Sequence, residues 1–366
     1  MKYIQKAILF AALAGAIAVL GGCGSTENQQ PVTPAKTVTI TDITGRQVEM
    51  PAVKKMAVVP LPWASVVYAL DGNADRLGAI HPGAMSAYKG HFLEKMDSHF
   101  GQLDAKMIGQ DFSIHAESLA NAGIDSAVLW NYQEKNADKL KQIGIPTVMI
   151  NNDSVDNLKK SFLIVGQMLG KEDRAKQLNA YYDHAYSEIT AHKAEVEKAD
   201  KPTILFLKNS KLRLQGNNNF IHEAIQIGGG ANPFEQEANS DSNKDISMEE
   251  VYRINPDIIL LSNFDTFIPD DLYENRIPGQ DWSTVKAVQN HHVYKVPMGI
   301  YRWDAPGVET PLMMKWLATL LQPEIFKDID VRRDTKAFYK DFMHYDLSDE
   351  DLSMIFADKE NQNSRW

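Results

Sequence analysis

Short apolar runs alternate with helical stretches along most of this chain, and this alternation limits the possible fold more than any other feature of the sequence. The runs typical of buried strands fall into two groups, residues 56–59, 77–80, 126–130 and 147–150, and then 203–207, 257–261 and 292–296. Strands separated by helices form parallel βαβ units. We therefore predict an α/β protein with two Rossmann-like lobes, each built around a parallel sheet.

A long stretch without strand signals separates the two groups. Residues Glu172 to Lys198 carry an apolar stripe at spacings of three and four, formed by Ala175, Leu178, Tyr182, Ala185 and Ile189. This spacing predicts one helix, and a helix of that length spans roughly 40 Å. Because a helix has no soft hinge residues, we expect a rigid connection that allows small closing motions. We expect the ligand in the cleft between the lobes, beyond the carboxyl ends of the strands.

Turn signals and composition set the remaining boundaries. A turn at Thr44-Gly45 between two alternating segments predicts a hairpin at the start of the folded part. We place an N-terminal lobe at residues 37–153, an interlobe helical segment at 154–200, a C-terminal lobe at 201–345 and a C-terminal tail at 346–366.

The first 36 residues differ in character from the rest. Lys2 and Lys6 precede a short apolar stretch that ends in Leu20-Gly21-Gly22-Cys23, which is the arrangement of a signal peptide. We predict a signal peptide over residues 1–22. The Leu-Gly-Gly-Cys sequence resembles a bacterial lipobox, which implies that Cys23 is lipidated and becomes the mature N-terminus. Residues 23–36, rich in small polar residues and proline, then form a flexible tether.

Charge and cysteine content exclude several classes of function. Lys and Arg number 38 against 48 for Asp and Glu, a formal charge of -10, which disfavours a nonspecific grip on nucleic acid. The single cysteine excludes an intramolecular disulfide, a multi-cysteine zinc site and a protein-held iron–sulfur cluster.

Several short motifs, in their order and spacing, resemble one known family: the substrate-binding lipoproteins of ABC importers for ferric siderophores, haem and cobalamin, the class with one rigid interlobe helix (class III). The matching segments lie at residues 42–46, 116–119, 123–129, 246–251, 255–259, 282–288 and 293–297, together with the lipobox. The resemblance covers nearly all of residues 37–345.

The resemblance implies a noncatalytic, monomeric receptor outside the inner membrane. Its lipid is its only membrane anchor. It has no intrinsic cofactor and carries a metal complex as cargo. Its partners are a permease dimer and the ATPase of that permease. In this family one glutamate on each lobe docks onto permease arginines, and by position these are Glu117 and Glu249, with Glu250 as the alternative to Glu249. Both positions open a helix, where the helix dipole also favours acidic residues.

Aromatic side chains dominate the segments that follow the predicted strands. Such rings suit a bulky, partly planar metal complex, and Arg302 can hold a carboxylate or hydroxamate-type oxygen. We expect Asp304 to orient Arg302. The candidate ligand-binding residues are Trp63, His81, Tyr88, Trp130, Tyr132, Asn209, Phe264, Met298, Tyr301, Arg302 and Trp303.

Two other functions stay open. The same fold could bind a metal ion or a small chelate of zinc, manganese or nickel with histidine, which requires about three His or carboxylate ligands, and His81 is the best placed of these. A two-lobe enzyme is the weaker alternative, since no Gly-x-Ser-x-Gly elbow is present.

Overall fold

The computed structural model describes residues 37–215, 219–234 and 244–366. The predicted signal peptide, Cys23 and the tether lie outside these residues. Within the described ranges, none of the helices combines the length and the apolar character needed to cross a membrane.

The first lobe contains the hairpin and a set of alternating strands and helices. Its elements are β1 (Val38–Thr41), β2 (Gln47–Met50), β3 (Met56–Val58), α1 (Trp63–Asp71), β4 (Leu77–Ile80), α2 (Pro82–Tyr88), α3 (Phe92–Met96), α4 (Ala116–Asn121), β5 (Ser126–Trp130), α5 (Glu134–Gln142) and β6 (Thr147–Ile150). The antiparallel pair β1-β2 precedes a four-stranded parallel sheet of order β4-β3-β5-β6. Because the strand order reverses between β3 and β5, the ends of these two strands mark the crevice where such sheets bind ligands.

The connecting segment is a pair of packed helices, α6 (Val155–Leu169) and α7 (Glu172–Thr190), followed by the single turn α8 (Lys193–Val196). All five residues of the predicted stripe are buried along α7. The helix is shorter than predicted, with 19 residues and a length of about 28 Å. At this end the His192 amide donates to the Ile189 carbonyl, three residues back, at 3.2 Å, so the α-helical bonding stops there.

The second lobe repeats the alternation with fewer strands. Its elements are β7 (Ile204–Leu207), α9 (Asn219–Ile227), α10 (Met248–Ile254), β8 (Ile258–Leu261), α11 (Pro269–Tyr273), α12 (Lys286–Gln289), β9 (Val293–Lys295) and α13 (Thr310–Leu321). The strands form a parallel sheet of order β7-β8-β9. Helix α7 packs on both α6 and α13, so it joins the lobes as predicted. The predicted fold class is confirmed.

The C-terminal part returns to the first lobe through α14 (Val331–Met343) and α15 (Asp349–Ile355), which pack on α1 and α3. Lys95 on α3 donates to Asp351 on α15 at 2.6 Å. The segment predicted as a tail therefore contains a helix, which Ser348 caps. These contacts brace the two lobes in addition to α7.

Residues 361–366 cover the outer edge of β9. The Asn361 side chain accepts from the Lys295 amide at 2.7 Å and donates to the Lys295 carbonyl at 3.0 Å, so one amide group takes the place of a further strand. Ser364 also donates to the Val293 carbonyl. An exposed strand edge is thereby closed.

Replacing Asn361 with alanine is expected to destabilise the fold by about 2 kcal/mol, because two buried backbone groups lose their partners. Urea denaturation followed by circular dichroism measures the effect. The matched control is Asn363→Ala, since the Asn363 side-chain amide donates to the Asp270 carboxylate in a solvent-exposed contact. Equal effects in the two variants would contradict the assigned role.

Candidate functional site

A cavity of about 620 Å³ lies where the lobes and the C-terminal segment meet. His91 belongs to its first-lobe wall, Phe264, Met298 and Arg302 to the wall that follows β8 and β9, and Glu360 to the C-terminal wall. Its size is in the range of small-molecule sites. A groove of about 850 Å³ beside β2 and α5 lies at the opposite end of the first sheet, near the start of β6, and so away from the strand exits.

Two cations share one exposed aromatic ring at this cavity. The Arg302 guanidinium carbon lies 4.5 Å from the Phe264 ring centroid, and the Lys208 ammonium lies 4.7 Å from it. Arg302 donates to the Asn263 carbonyl at 2.9 Å and to the Tyr301 hydroxyl at 3.1 Å. Within the described part of the chain, neither cation forms an ion pair with a carboxylate. The site therefore presents positive charge that a negatively charged ligand can neutralise.

Two groups near this ring have lowered pKa values, and burial is the largest cause of both shifts. Burial lowers the pKa of Lys208, and the charges of Arg213 and Arg302 lower it further, while Asp304 acts in the opposite direction. Burial also lowers the pKa of His91, again with a contribution from Arg302.

Lys295, at the end of β9, fixes the loop that carries Phe264. Its ammonium donates to the carbonyls of Ser262, Asp265 and Phe267 at 2.8, 2.8 and 3.0 Å. Burial lowers the pKa of Lys295 to about 8. All three hydrogen bonds of this buried ammonium go to backbone carbonyls. Lys295 therefore shapes the cavity wall and is not available to a ligand.

The lowered pKa of Lys295 predicts a distinctive dependence of stability on pH. Between pH 8 and the ordinary value of 10.5 the unfolded chain holds a proton that the folded chain has released. Stability therefore rises with pH in this window, by about 3 kcal/mol from this group. The free energy of unfolding of Lys295→Met, measured by urea denaturation at pH 8 and 10, should not show this rise.

The control for that measurement is Lys286→Met, since Lys286 is a surface lysine that pairs with Asp257. This variant should keep the rise. A Lys295→Met protein whose stability still rises with pH as in the wild type would contradict the assignment.

A stacked aromatic pair stands at the exit of β5. The rings of Trp130 and Tyr132 lie 6.3 Å apart at an angle of 14°, and Tyr132 is 68% exposed. The pair follows a strand at the crevice of the first sheet and presents a flat apolar face to solvent.

Two of the predicted ligand-binding aromatics lie in the core. Trp63 is fully buried and packs on Phe162 of α6. Tyr88 is also fully buried, and its hydroxyl accepts from the Ser65 amide at 3.1 Å. This bond satisfies an amide in the first turn of α1 that has no partner within the helix. Trp63 therefore packs within the first lobe, whereas the Tyr88 ring also packs edge-on against Tyr301 of the second lobe, with the centroids 5.8 Å apart.

Three further candidates are buried as well. His81 caps α2 by accepting from the Gly83 amide at 2.9 Å, and its ring stacks on Phe112. Trp303 packs edge-on against Phe356. Tyr301 is 5% exposed and supports Arg302 from behind.

The expectation that Asp304 orients Arg302 is wrong. The Asp304 carboxylate accepts from the Ser262 hydroxyl, and the Asn263 carbonyl holds Arg302 instead. The side chain of Asn209 is committed to a turn, since its oxygen accepts from the Lys211 amide at 3.0 Å.

Sequence reasoning missed His91 and Lys295 as parts of the cavity wall. His91 lies between α2 and α3, away from any strand exit, and Lys295 lies within a strand. Neither position carries a signal for function in the sequence, because only the packing of α15 and the β8 loop brings them to the cavity.

A metal centre made of protein side chains has no candidate in this structure: no group of three or more His, Cys, Asp or Glu residues in the described ranges could hold a metal ion.

The two candidate docking glutamates are exposed, each in the first turn of its helix, α4 and α10. Glu250, the neighbour of Glu249, is engaged: it closes a capping box with Ser247 and accepts from the Ser247 amide at 3.0 Å. Glu249 is the more exposed carboxylate of this pair, and a hydrogen bond with the Ser247 side chain lowers its pKa. Helices that precede parallel strands start at the edge where those strands end, so both glutamates flank the cleft side of their sheets.

The chain is similar to a known protein family and to solved structures. Residues 66–298 match a family model described as periplasmic binding protein. A solved periplasmic solute binding protein from Veillonella parvula DSM 2008 is 38% identical, with a TM-score of 0.85 over 89% of this chain and 99% of that chain.

Two curated relatives are more distant. The molybdate-binding protein MolA of Haemophilus influenzae is 23% identical over 259 residues, 64% of this chain and 72% of that protein. The uncharacterized ABC transporter substrate-binding lipoprotein YvrC of Bacillus subtilis is 24% identical over 342 residues, 88% of this chain and 99% of that protein.

Proposed function

The chain belongs to the periplasmic binding protein family, and from this premise we propose that it is the extracytoplasmic receptor of an ABC importer for a negatively charged metal complex. The cargo is a ferric siderophore or haem, which the protein delivers to the permease dimer without chemical change.

The observation that carries this proposal is the pair of cations on one ring. Arg302 and Lys208 lie within 5 Å of the Phe264 centroid, and their mutual repulsion is relieved when an anion binds between or beside them. The ring itself offers contact area to a planar ligand. A corrinoid carries little net charge and makes less use of these cations.

The volume of the cavity supports a cargo larger than a simple ion. A space of about 620 Å³ suits a molecule of drug size.

An oxyanion is the second candidate cargo. The relative MolA is named for molybdate, and a cationic site suits that ion as well as a larger anion. A bare divalent cation is disfavoured, since the described residues lack a cluster of metal-ligating side chains.

A fluorescence titration tests the proposal. The purified chain is mixed in turn with a ferric catecholate siderophore, hemin, cobalamin, sodium molybdate and nickel with histidine. We expect submicromolar binding of one anionic probe. Binding of only cobalamin or nickel–histidine would overturn the assignment of an anionic cargo.

Docking to the permease is proposed to use Glu117 on the first lobe and Glu249 on the second. Both are exposed, and exposed charges at fixed separation steer association and set its register.

The lipid anchor is proposed at Cys23. The Leu-Gly-Gly-Cys sequence supports it, and the relative YvrC is named a lipoprotein. Several buried acyl chains hold a protein at a membrane where one does not. Metabolic labelling with a fatty acid, lost in Cys23→Ala, is the expected result.

A further inference from the structure

The loop of residues 298–303, here called the 298–303 loop, presents Arg302 to the cavity. It follows β9 and folds back on itself, with Met298 and Arg302 in an antiparallel bridge and the Gly299 amide donating to the Tyr301 carbonyl at 3.1 Å. The position of Arg302 therefore depends on what holds this loop from below.

A buried carboxyl lies directly beneath the 298–303 loop. Glu309, at the start of α13, accepts from the Tyr339 hydroxyl at 2.6 Å and from the Tyr301 amide at 3.2 Å. The Tyr339 hydroxyl in turn accepts from the Ile300 amide at 2.9 Å. The Trp303 indole N–H faces the same carboxyl without reaching hydrogen-bond geometry. Two successive loop amides are thus held by one pair of side chains.

Gly299 shows how closely the loop lies against this pair. A Cβ atom at Gly299 would lie 1.8 Å from a Glu309 carboxylate oxygen and 2.2 Å from the Tyr339 hydroxyl. Real Cβ atoms do not approach other atoms so closely, so the backbone of the loop rests on the pair without a side chain between them.

Tyr339 also connects the loop to the other lobe. Its ring packs edge-on against Phe92 of α3, with the centroids 5.5 Å apart, and Phe92 lines the cavity. The support under Arg302 is thereby tied to the first-lobe wall of the same cavity.

We propose that Glu309, acting with Tyr339, is a positioning residue that holds the 298–303 loop in the conformation in which Arg302 faces the ligand. The expected effect on ligand affinity rests on the proposed function. The expected effect on the order of the loop in the free protein is independent of that function.

The hydrogen bonds specify the ionised form of Glu309. Two of its neighbours are donors that point at its oxygens, so a proton on the carboxyl would compete with one of them. Burial raises the pKa of Glu309 to about 7. The titratable groups that face it are Tyr339 on α14 and Tyr181 and Tyr182 on α7, and burial raises the pKa of each. None of these tyrosines titrates between pH 6 and 8, so they do not cause a change in the loop over this range. Lys295, with a pKa of about 8, also titrates near its upper end, so the change is assigned to Glu309 only if Glu309→Gln abolishes it.

Asp304, the other buried carboxyl of this segment, needs its own control. It accepts from the Ser262 hydroxyl, and burial raises its pKa. Asp304→Asn removes its titration and leaves Glu309 and Tyr339 in place.

Hydrogen–deuterium exchange of the ligand-free full chain tests the proposal, with rates corrected for the intrinsic effect of pH. At pH 8 the amides of Ile300 and Tyr301 should exchange roughly tenfold or more faster in Glu309→Gln than in the wild type. The Tyr301 amide loses its bond to a charged group, and the Tyr339 hydroxyl that accepts from the Ile300 amide loses its charged acceptor. The wild type should lose protection at these amides between pH 8 and 6. Glu309→Gln should show no such change, and Asp304→Asn should behave as the wild type.

A second variant keeps the test decisive if Glu309→Gln does not fold. Tyr339→Phe removes the acceptor of the Ile300 amide and keeps the acceptor of the Tyr301 amide. The exchange rate of the Ile300 amide is expected to increase, and that of the Tyr301 amide to increase less. Equal protection in wild type and variants, or faster exchange spread evenly over α13, would overturn the positioning role.

Ligand binding separates this inference from the proposed function. With hemin as the probe, Glu309→Gln should bind roughly tenfold more weakly than the wild type, and adding Glu309→Gln to Arg302→Ala should cause little further loss, because the two act through one contact. Additive losses would overturn the coupling of Glu309 to Arg302. If no anionic probe binds while the exchange results hold, the proposed function fails and the positioning of the loop stands.

Discussion

Replacing Arg302 with alanine is expected to weaken binding of the anionic cargo by roughly thirtyfold or more, since truncating one member of a hydrogen-bonded charge pair costs about 2 kcal/mol or more. The guanidinium is already fixed by the Asn263 carbonyl and the Tyr301 hydroxyl. A ligand therefore gains its contacts without the entropy cost of ordering a free side chain. Titration calorimetry with hemin, or with the ferric siderophore that binds, measures the loss.

Two further variants define the cause of that loss. Arg302→Lys keeps the charge but lacks the planar fork, so an intermediate affinity is expected. Arg276→Ala removes an exposed arginine that pairs with Glu274 on the same lobe, and its affinity should equal that of the wild type. Equal losses in Arg276→Ala and Arg302→Ala would show that the general charge of the lobe, and not this contact, holds the ligand.

The double variant Glu117→Ala, Glu249→Ala is expected to abolish uptake while ligand affinity stays unchanged. Each glutamate contributes about 2 kcal/mol to docking if its partner arginine is buried in the complex. Both carboxylates are exposed in the free protein, so their loss leaves the fold and the cavity intact. Uptake of labelled cargo by vesicles that contain the permease and its ATPase measures the effect.

Neighbouring carboxylates provide the controls for docking. Glu134 is an exposed first-turn residue of α5, so Glu134→Ala should support normal uptake. Glu250→Ala removes a helix cap and should lower stability by about 1 kcal/mol without affecting uptake. Normal uptake by the double variant, or loss of uptake in Glu134→Ala, would contradict the assignment of the docking pair.

The strands were predictable because parallel strands covered on both faces form unbroken apolar runs. The run at residues 257–261 corresponds to the observed strand Ile258–Leu261, and the run at 203–207 to the strand Ile204–Leu207. The end of α7 was not predictable from the apolar stripe, because the stripe records burial and not the change of backbone bonding at His192.

The position of the cavity could be predicted from the sequence, but the orientation of the side chains around it could not. Strand exits locate the cleft, and Phe264, Met298 and Arg302 do line the cavity. Whether a side chain at such an exit points outward depends on what packs behind it, as Trp63 shows against Phe162 and Tyr88 against the first turn of α1. Only the tertiary structure supplies that information.

Lys295 and Glu309 illustrate a second limit of the sequence. A charged residue within a strand or next to a buried helix is usually placed at the surface, yet both are buried here and both bond the backbone of cavity loops. Their partners are distant in sequence, so no local pattern indicates them.

Native mass spectrometry of the protein isolated from the cells that make it, with no cargo added, asks most directly what the cleft holds. The cationic site predicts one small molecule per chain, with net negative charge, and its absence from Arg302→Ala isolated in the same way. A bound cation or neutral molecule, or full occupancy in the Arg302→Ala protein, would contradict the account.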